Sequence, residues 1–174
     1  MSQQMYIDCR VAGSNGDAVR VVAVVDKQND TLSIAKLLPY APPKDPYQGK
    51  TPEQIAQIKQ IQAYTVIVVD SPTAFKKWDT CFSQLEHLDQ AVKDYYSMTR
   101  LGRLTLHPDL EAMCNPESVI EVRKTEMKGN VYELDSGQVT NNHFAVLIAC
   151  WTAIKMLSQS SILELEDRKS TRLN

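Results

Sequence analysis

Three apolar runs rich in β-branched residues open the chain: Met5–Val11, then Ala18–Lys27 with Val19, Val21, Val22, Val24 and Val25, then Thr31–Leu38. Gly13-Ser-Asn-Gly16 and Asn29-Asp30 separate them with turn chemistry, so the pattern predicts an antiparallel three-stranded meander. Pro39 to Gly49, with Pro42, Pro43 and Pro46, cannot continue a strand and reads as a surface connection. A helix is expected next, with Thr51 as N-cap, Pro52 at its first position, Gln54 three residues after the cap and Ile55, Ile58 and Ile61 on one face to about Ala63. Tyr64–Asp70 is almost continuously apolar and closed by an acid, the pattern of a strand buried on both faces. A crossover helix before it favours parallel pairing, with the first strand as the preferred neighbour.

The second half reads as mostly helical. Ser71-Pro72 repeats the cap-then-proline pattern, and Phe75, Trp78, Phe82, Leu85, Leu88 and Val92 at helical spacing predict one long helix to about Met98. A short strand within Gly102–Pro108, a short helix at Asp109–Cys114 and a hairpin of Val119–Lys124 with Asn130–Leu134 about Lys128-Gly129 follow. The final helix, Asn141 to about Ser158, is apolar nearly all round through Phe144–Trp151 and should lie buried against the sheet. The fold class is therefore α/β: a mixed sheet with an antiparallel meander, a crossover helix and a parallel fourth strand, flanked by helices.

Composition narrows this little. The chain has 174 residues, 43% hydrophobic and 23% charged, which suits one globular domain. Cys9, Cys81, Cys114 and Cys150 form no C-x-x-C pair, so a reducing compartment is expected and a zinc ribbon is not. No apolar run approaches the roughly 18 to 20 residues needed to cross a bilayer, and the polar start is not a signal peptide, so a cytoplasmic, non-membrane protein is expected. The ending DRKSTRLN resembles one reading frame of a sequencing adapter, so residues 1–166 are taken as the domain and 167–174 as non-native. Leaving that tail out removes three bases and one acid and moves the net charge from −2 to about −4. An acidic domain lacks a bulk positive field, so binding to nucleic acid would need a local patch or metal ions.

Two aspartates stand out by position. Asp8 lies in or just after the first strand and Asp70 closes the fourth. If those strands are parallel neighbours, both carboxylates emerge where open α/β sheets collect ligands. Two carboxylates a few Å apart repel unless a cation lies between them, which makes a divalent metal the natural third party. The plainer alternative is that Asp8 begins a turn and Asp70 caps the following helix. Lys76, Lys77, Lys93, Arg100 and Arg103, with Tyr95 and Tyr96 nearby, offer contacts for a phosphate backbone. Asp79, Glu86, Asp89 and Asp94 lie among them, as on an ordinary solvated face. The chain has no G-x-x-x-x-G-K-[ST] and no G-x-S-x-G. His143 and Cys150 stand nearly two turns apart on a buried helix, which argues against a dyad.

The order of elements, with acids on strands one and four, resembles the RNase H-like superfamily, and within it the nuclease domain of phage large terminases. The likeness is spread over residues 5–158. It is carried by Ile7-Asp8-Cys-Arg-Val-Ala-Gly13-Ser-Asn-Gly16-Asp17, by Val68-Val69-Asp70, by Gly102-Arg103-Leu104-Thr-Leu106-His-Pro108 and by Asn141-Asn142-His143 before an apolar helix. The resemblance implies metal-dependent phosphodiester hydrolysis of DNA, with Asp8 and Asp70 as ligands of Mg2+ or Mn2+. Asp17, Asp135, Glu133 and His143 would be assisting residues, and a separate ATPase or portal-type partner would supply the motor. In that family the last helix carries a third carboxylate, whereas here Asn142 stands where an aspartate is usual and Phe144-Ala-Val146-Leu offers no ligand. The resemblance therefore implies two alternatives: a nuclease, or a catalytically impaired domain that binds DNA or serves in assembly.

Overall fold

The computed structural model describes residues 4–13, 17–41 and 44–158. The segment 167–174 and the centre of the Gly13–Gly16 turn lie outside these residues. Eight strands and four α-helices follow in chain order among them: β1 (Met5–Val11), β2 (Val19–Asp26), β3 (Thr31–Pro39), α1 (Pro52–Ala63), β4 (Thr65–Val69), β5 (Thr80–Cys81), α2 (Gln84–Arg100), β6 (Leu104–Leu106), α3 (Pro108–Cys114), β7 (Ile120–Thr125), β8 (Gly129–Leu134) and α4 (Asn141–Leu157). Six strands form one mixed sheet in the order β5-β4-β1-β2-β3-β6, and β7 and β8 form a separate hairpin. β1-β2-β3 is the expected antiparallel meander, and β4 lies parallel to β1. Asp30 takes a positive φ of 54° at the β2–β3 turn, a conformation aspartate tolerates.

Strand alternation sorts the side chains onto two faces. Ile7, Cys9, Val11, Val21, Ala23, Val25, Val66 and Val68 belong to the main core with α4, whose Ala145–Trp151 stretch is buried throughout. The Cys9 thiol donates to the Ala145 carbonyl at 3.7 Å, fixing α4 against β1. The opposite, outer face carries Asp8 and Arg10 of β1 and Arg20 and Val22 of β2. In β3 a bulge near Ala35 shifts the register, so Ile34 and Leu37 both turn toward the core while Lys36 falls opposite Val22 on the outer face.

Helix α1 begins at the expected capping box, with Gln54 N–H donating to Thr51 Oγ1 and Thr51 N–H to Gln54 Oε1. Its isoleucine stripe does not become core: no side chain of α1 is buried, and Ile61 is 48% exposed.

The long helix expected from Ser71 is corrected. Residues 71–79 form a loop, Thr80–Cys81 adds a short strand parallel to β4, and α2 starts only at Gln84. The aromatic residues behind that expectation serve both sides of the sheet. Phe75 packs edge-on against Tyr40 with ring centroids 5.0 Å apart, outside the main core. Phe82 packs edge-on against Trp151 of α4 at 5.2 Å, inside it. One helical stripe cannot bury residues on both faces of a sheet, so the chain crosses over as a loop.

Candidate functional site

Parallel pairing of β1 with β4 sets the geometry of the two aspartates. Asp8 is the fourth residue of β1 and lies opposite Ile67, whereas Asp70 follows the end of β4, its N–H donating to the Arg10 carbonyl. The two acids therefore do not leave the sheet at one strand end. Asp70 stands three residues beyond the partner of Asp8, an offset of about 10 Å along the strands at about 3.3 Å per residue.

Asp8 is 5% exposed and its carboxylate is gripped from two sides. Arg20 donates through Nε to Oδ1 at 2.8 Å and through Nη2 to Oδ2 at 2.9 Å. Arg10, two residues along the same strand, donates through Nη2 to Oδ2 at 3.0 Å and more loosely through Nε to Oδ1 at 3.5 Å. Each oxygen thus receives two N–H donors, which fills the roughly four lone-pair sites of a carboxylate. Arg10 and Arg20 are directly opposite in register, an arrangement that would repel without the acid between them. The bond to Asp8 holds the Arg20 guanidinium above its ordinary pKa. The Arg10 guanidinium also lies 5.7 Å from the centroid of the Tyr40 ring.

Asp70 plays a different part. Its Oδ1 accepts from Ala12 N–H and its Oδ2 from Gly13 N–H, both at 2.8 Å, so it closes the chain's exit from β1. Asn141, first residue of α4, completes this junction: its side-chain amide donates to the carbonyls of Ala12 at 3.2 Å and Asp17 at 2.9 Å. Gly13 has φ 58°, and a Cβ there would overlap the Asn141 side chain. Burial, then the charges of Asp8 and Asp70, push the Cys9 thiol well above its usual range.

The other expected participants are placed as follows. Asp17 is exposed, and its main-chain oxygen joins the Asn141 junction. Asp135 accepts from Gly137 N–H at 3.0 Å within its own turn, and Glu133 pairs with Arg123 across the hairpin at 2.9 Å. His143 is buried, its Nδ1 accepts from Thr140 N–H at 3.0 Å, and burial lowers its pKa below the ordinary 6.5. It therefore caps its own helix as a neutral ring protonated on Nε2. Among the described residues no three His, Cys, Asp or Glu side chains gather as a metal site would require. A groove of about 850 Å³ between α2 and the hairpin, lined by Leu85, Leu88, Asp89 and Tyr132 among others, contains none of Asp8, Asp17, Asp70, Asp135 and His143.

Sequence reasoning singled out Asp8 and Asp70 but missed Arg10, Arg20 and Asn141 as the residues that surround them. One signal was available: residues i and i+2 of a strand share a face, which puts Arg10 beside Asp8. Arg20 needed the β1–β2 register.

The six-stranded mixed sheet, with its antiparallel meander and parallel fourth strand, belongs to a fold shared with solved large terminase nuclease domains. In particular, the chain is similar to the large terminase nuclease from thermophilic phage G20c. Against its crystal structure the TM-score is 0.50 at 13% identity, covering 86% of this chain and 82% of that one. Against its structure with bound magnesium the TM-score is 0.50 at 14% identity, covering 87% and 82%. No protein-family model matches the chain, and no curated protein matches it.

Magnesium in such a fold requires carboxylate oxygens with free lone pairs. Asp8 has none to give, Asp70 has one lone pair left on each oxygen, and α4 opens with Asn141, Asn142 and His143. Among the described residues, those at this site do not fit the metal pair that two-metal phosphoryl chemistry uses.

Proposed function

We propose that this chain is an RNase H-like domain that holds DNA without cutting it, as a binding or assembly module beside a separate ATPase or portal-type partner. The observation that carries this reading is the engagement of Asp8 by Arg10 and Arg20, which turns the acid of β1 into a structural counter-ion. The fold itself is compatible with a DNA-handling role, and no helix among the described residues is long and apolar enough to cross a membrane. Cys9, Cys81, Cys114 and Cys150, all free, suit a reducing cytoplasm.

The competing reading is metal-dependent phosphodiester hydrolysis. What favours it is Asp70 at the end of β4, paired with no arginine among the described residues, together with a fold shared with a magnesium-bound nuclease. It would need Asp70 to hold Mg2+ or Mn2+ with help from Asp17, Asp135 or His143. Incubation with plasmid DNA and either metal separates the two readings. The expected result is a gel shift without nicking. Nicking that disappears in Asp70→Ala would overturn the non-cleaving assignment.

A further inference from the structure

A domain that holds DNA needs a face on which phosphates can lie, and α4 closes the inner face of the sheet. The outer face is built differently. Asp8 neutralises one of the two guanidinium groups that clasp it, so the triad keeps one unit of positive charge. Both arginines present Nε and Nη2 to Asp8, which leaves Nη1 outside the pairing, and the Arg20 side chain is 42% exposed. The bulge in β3 brings exposed Lys36 onto the same face, opposite Val22.

A second group of cations arrives from the other flank. Phe75 anchors the β4–β5 loop by packing on Tyr40, the same ring that lies beside the Arg10 guanidinium. Lys76 and Lys77, the next two residues, are exposed, and Trp78 after them is 38% exposed. Phe75, Tyr40, Arg10, Asp8 and Arg20 thus form one continuous chain of contacts, with the lysines at one end and a half-exposed arginine at the other. Fixed guanidinium groups, exposed lysines and an open indole are the components that track a phosphate backbone and stack an unpaired base.

We propose that this outer face, through Arg10, Arg20, Lys36, Lys76 and Lys77 with Trp78, is where the domain binds the phosphate backbone of DNA. The proposal rests on the DNA-holding reading above and adds its location. Arg20→Gln alone is a poor test, since it also releases a buried acid. The exposed pair Lys76→Gln/Lys77→Gln is the decisive variant, with Lys124→Gln/Lys128→Gln on the hairpin as control.

Fluorescence anisotropy with a fluorescein-labelled oligonucleotide, single-stranded and duplex, is measured across a salt series. The expected result is weaker binding by the loop variant, with the slope of log K against log salt reduced by about one per lysine, and no change in the control. DNA binding unaffected by the loop variant, whatever the hairpin variant does, would overturn this location while leaving the DNA-holding reading intact. No binding of either DNA by the unmodified protein would overturn both. Binding of polyglutamate in place of DNA would identify the face as a dock for an acidic protein segment and overturn the proposal.

Discussion

Replacing Asp8 by alanine separates the two accounts of this carboxylate by the sign of the stability change. In the structure the acid holds Arg10, whose side chain is 12% exposed, against Arg20, at 42%. Removing one member of a fully buried ion pair costs about 3–5 kcal/mol, because the partner charge is left stranded. Arg20 can turn toward water, so its share shrinks toward the roughly 0–1 kcal/mol of a surface pair. Arg10, held under Tyr40, cannot do so easily. The loss should therefore be about 2–4 kcal/mol, a fall in Tm on the order of 5–15 °C for a domain of this size. Calorimetric scans in EDTA give the answer directly. If Asp8 instead repelled a neighbouring carboxylate across an empty cation site, its removal would raise Tm in EDTA. Wild-type protein would then also gain about 2.7 kcal/mol when magnesium reached about a hundred times its Kd. Either a rise in EDTA, or a magnesium stabilisation that vanishes in Asp8→Ala, refutes the counter-ion assignment. Adding Arg10→Met to Asp8→Ala should recover much of the loss, since an apolar pair of similar volume can replace a buried ionic one.

Two further outcomes follow from the junction at the start of α4. His143 is buried with a lowered pKa, so the fold prefers the neutral ring; its contribution is complete above the unfolded value of about 6.5 and is lost as pH falls from there toward the folded value. His143→Gln keeps an acceptor at the same capping position, so it should match wild type in Tm near pH 7.5 and lose the decline seen on acidification to about pH 5; identical declines would show that another group titrates. Gly13→Ala should destabilise by more than about 1 kcal/mol in urea unfolding, from positive φ and overlap with Asn141 together. Combining it with Asn141→Ala should cost less than the sum of the two, and strict additivity would mean that the side chains do not meet.

Much of this fold can be read from local pattern, because most of its elements carry their own punctuation. Gly13, Asn29-Asp30, Thr51-Pro52 and Lys128-Gly129 mark boundaries that the structure keeps within a residue or two. The segment after Asp70 was harder, since Phe75, Trp78 and Phe82 share helical spacing yet are drawn to opposite faces of a sheet that local sequence does not display. The stripe of α1 misled in the other direction: Ile55, Ile58 and Ile61 have the period of a buried helix but no side chain of α1 is buried. At the candidate site, the sequence located the acids but not their partners. Arg20 reaches Asp8 through a register set by the whole β1–β2 pairing, and Asn141 reaches Ala12 and Asp17 across more than a hundred residues.

That last contact orders the assembly of the molecule in time. The turn leaving β1 is held by an amide from the first residue of α4, and β1 itself is fastened to Ala145 one turn further on. A nascent chain emerging from the ribosome can pair β1 with β2 and β3 early, but the inner face stays open to water until α4 has been made. Closure is thus deferred until α4 has been made, and the early strands must wait as an exposed apolar sheet that is prone to association.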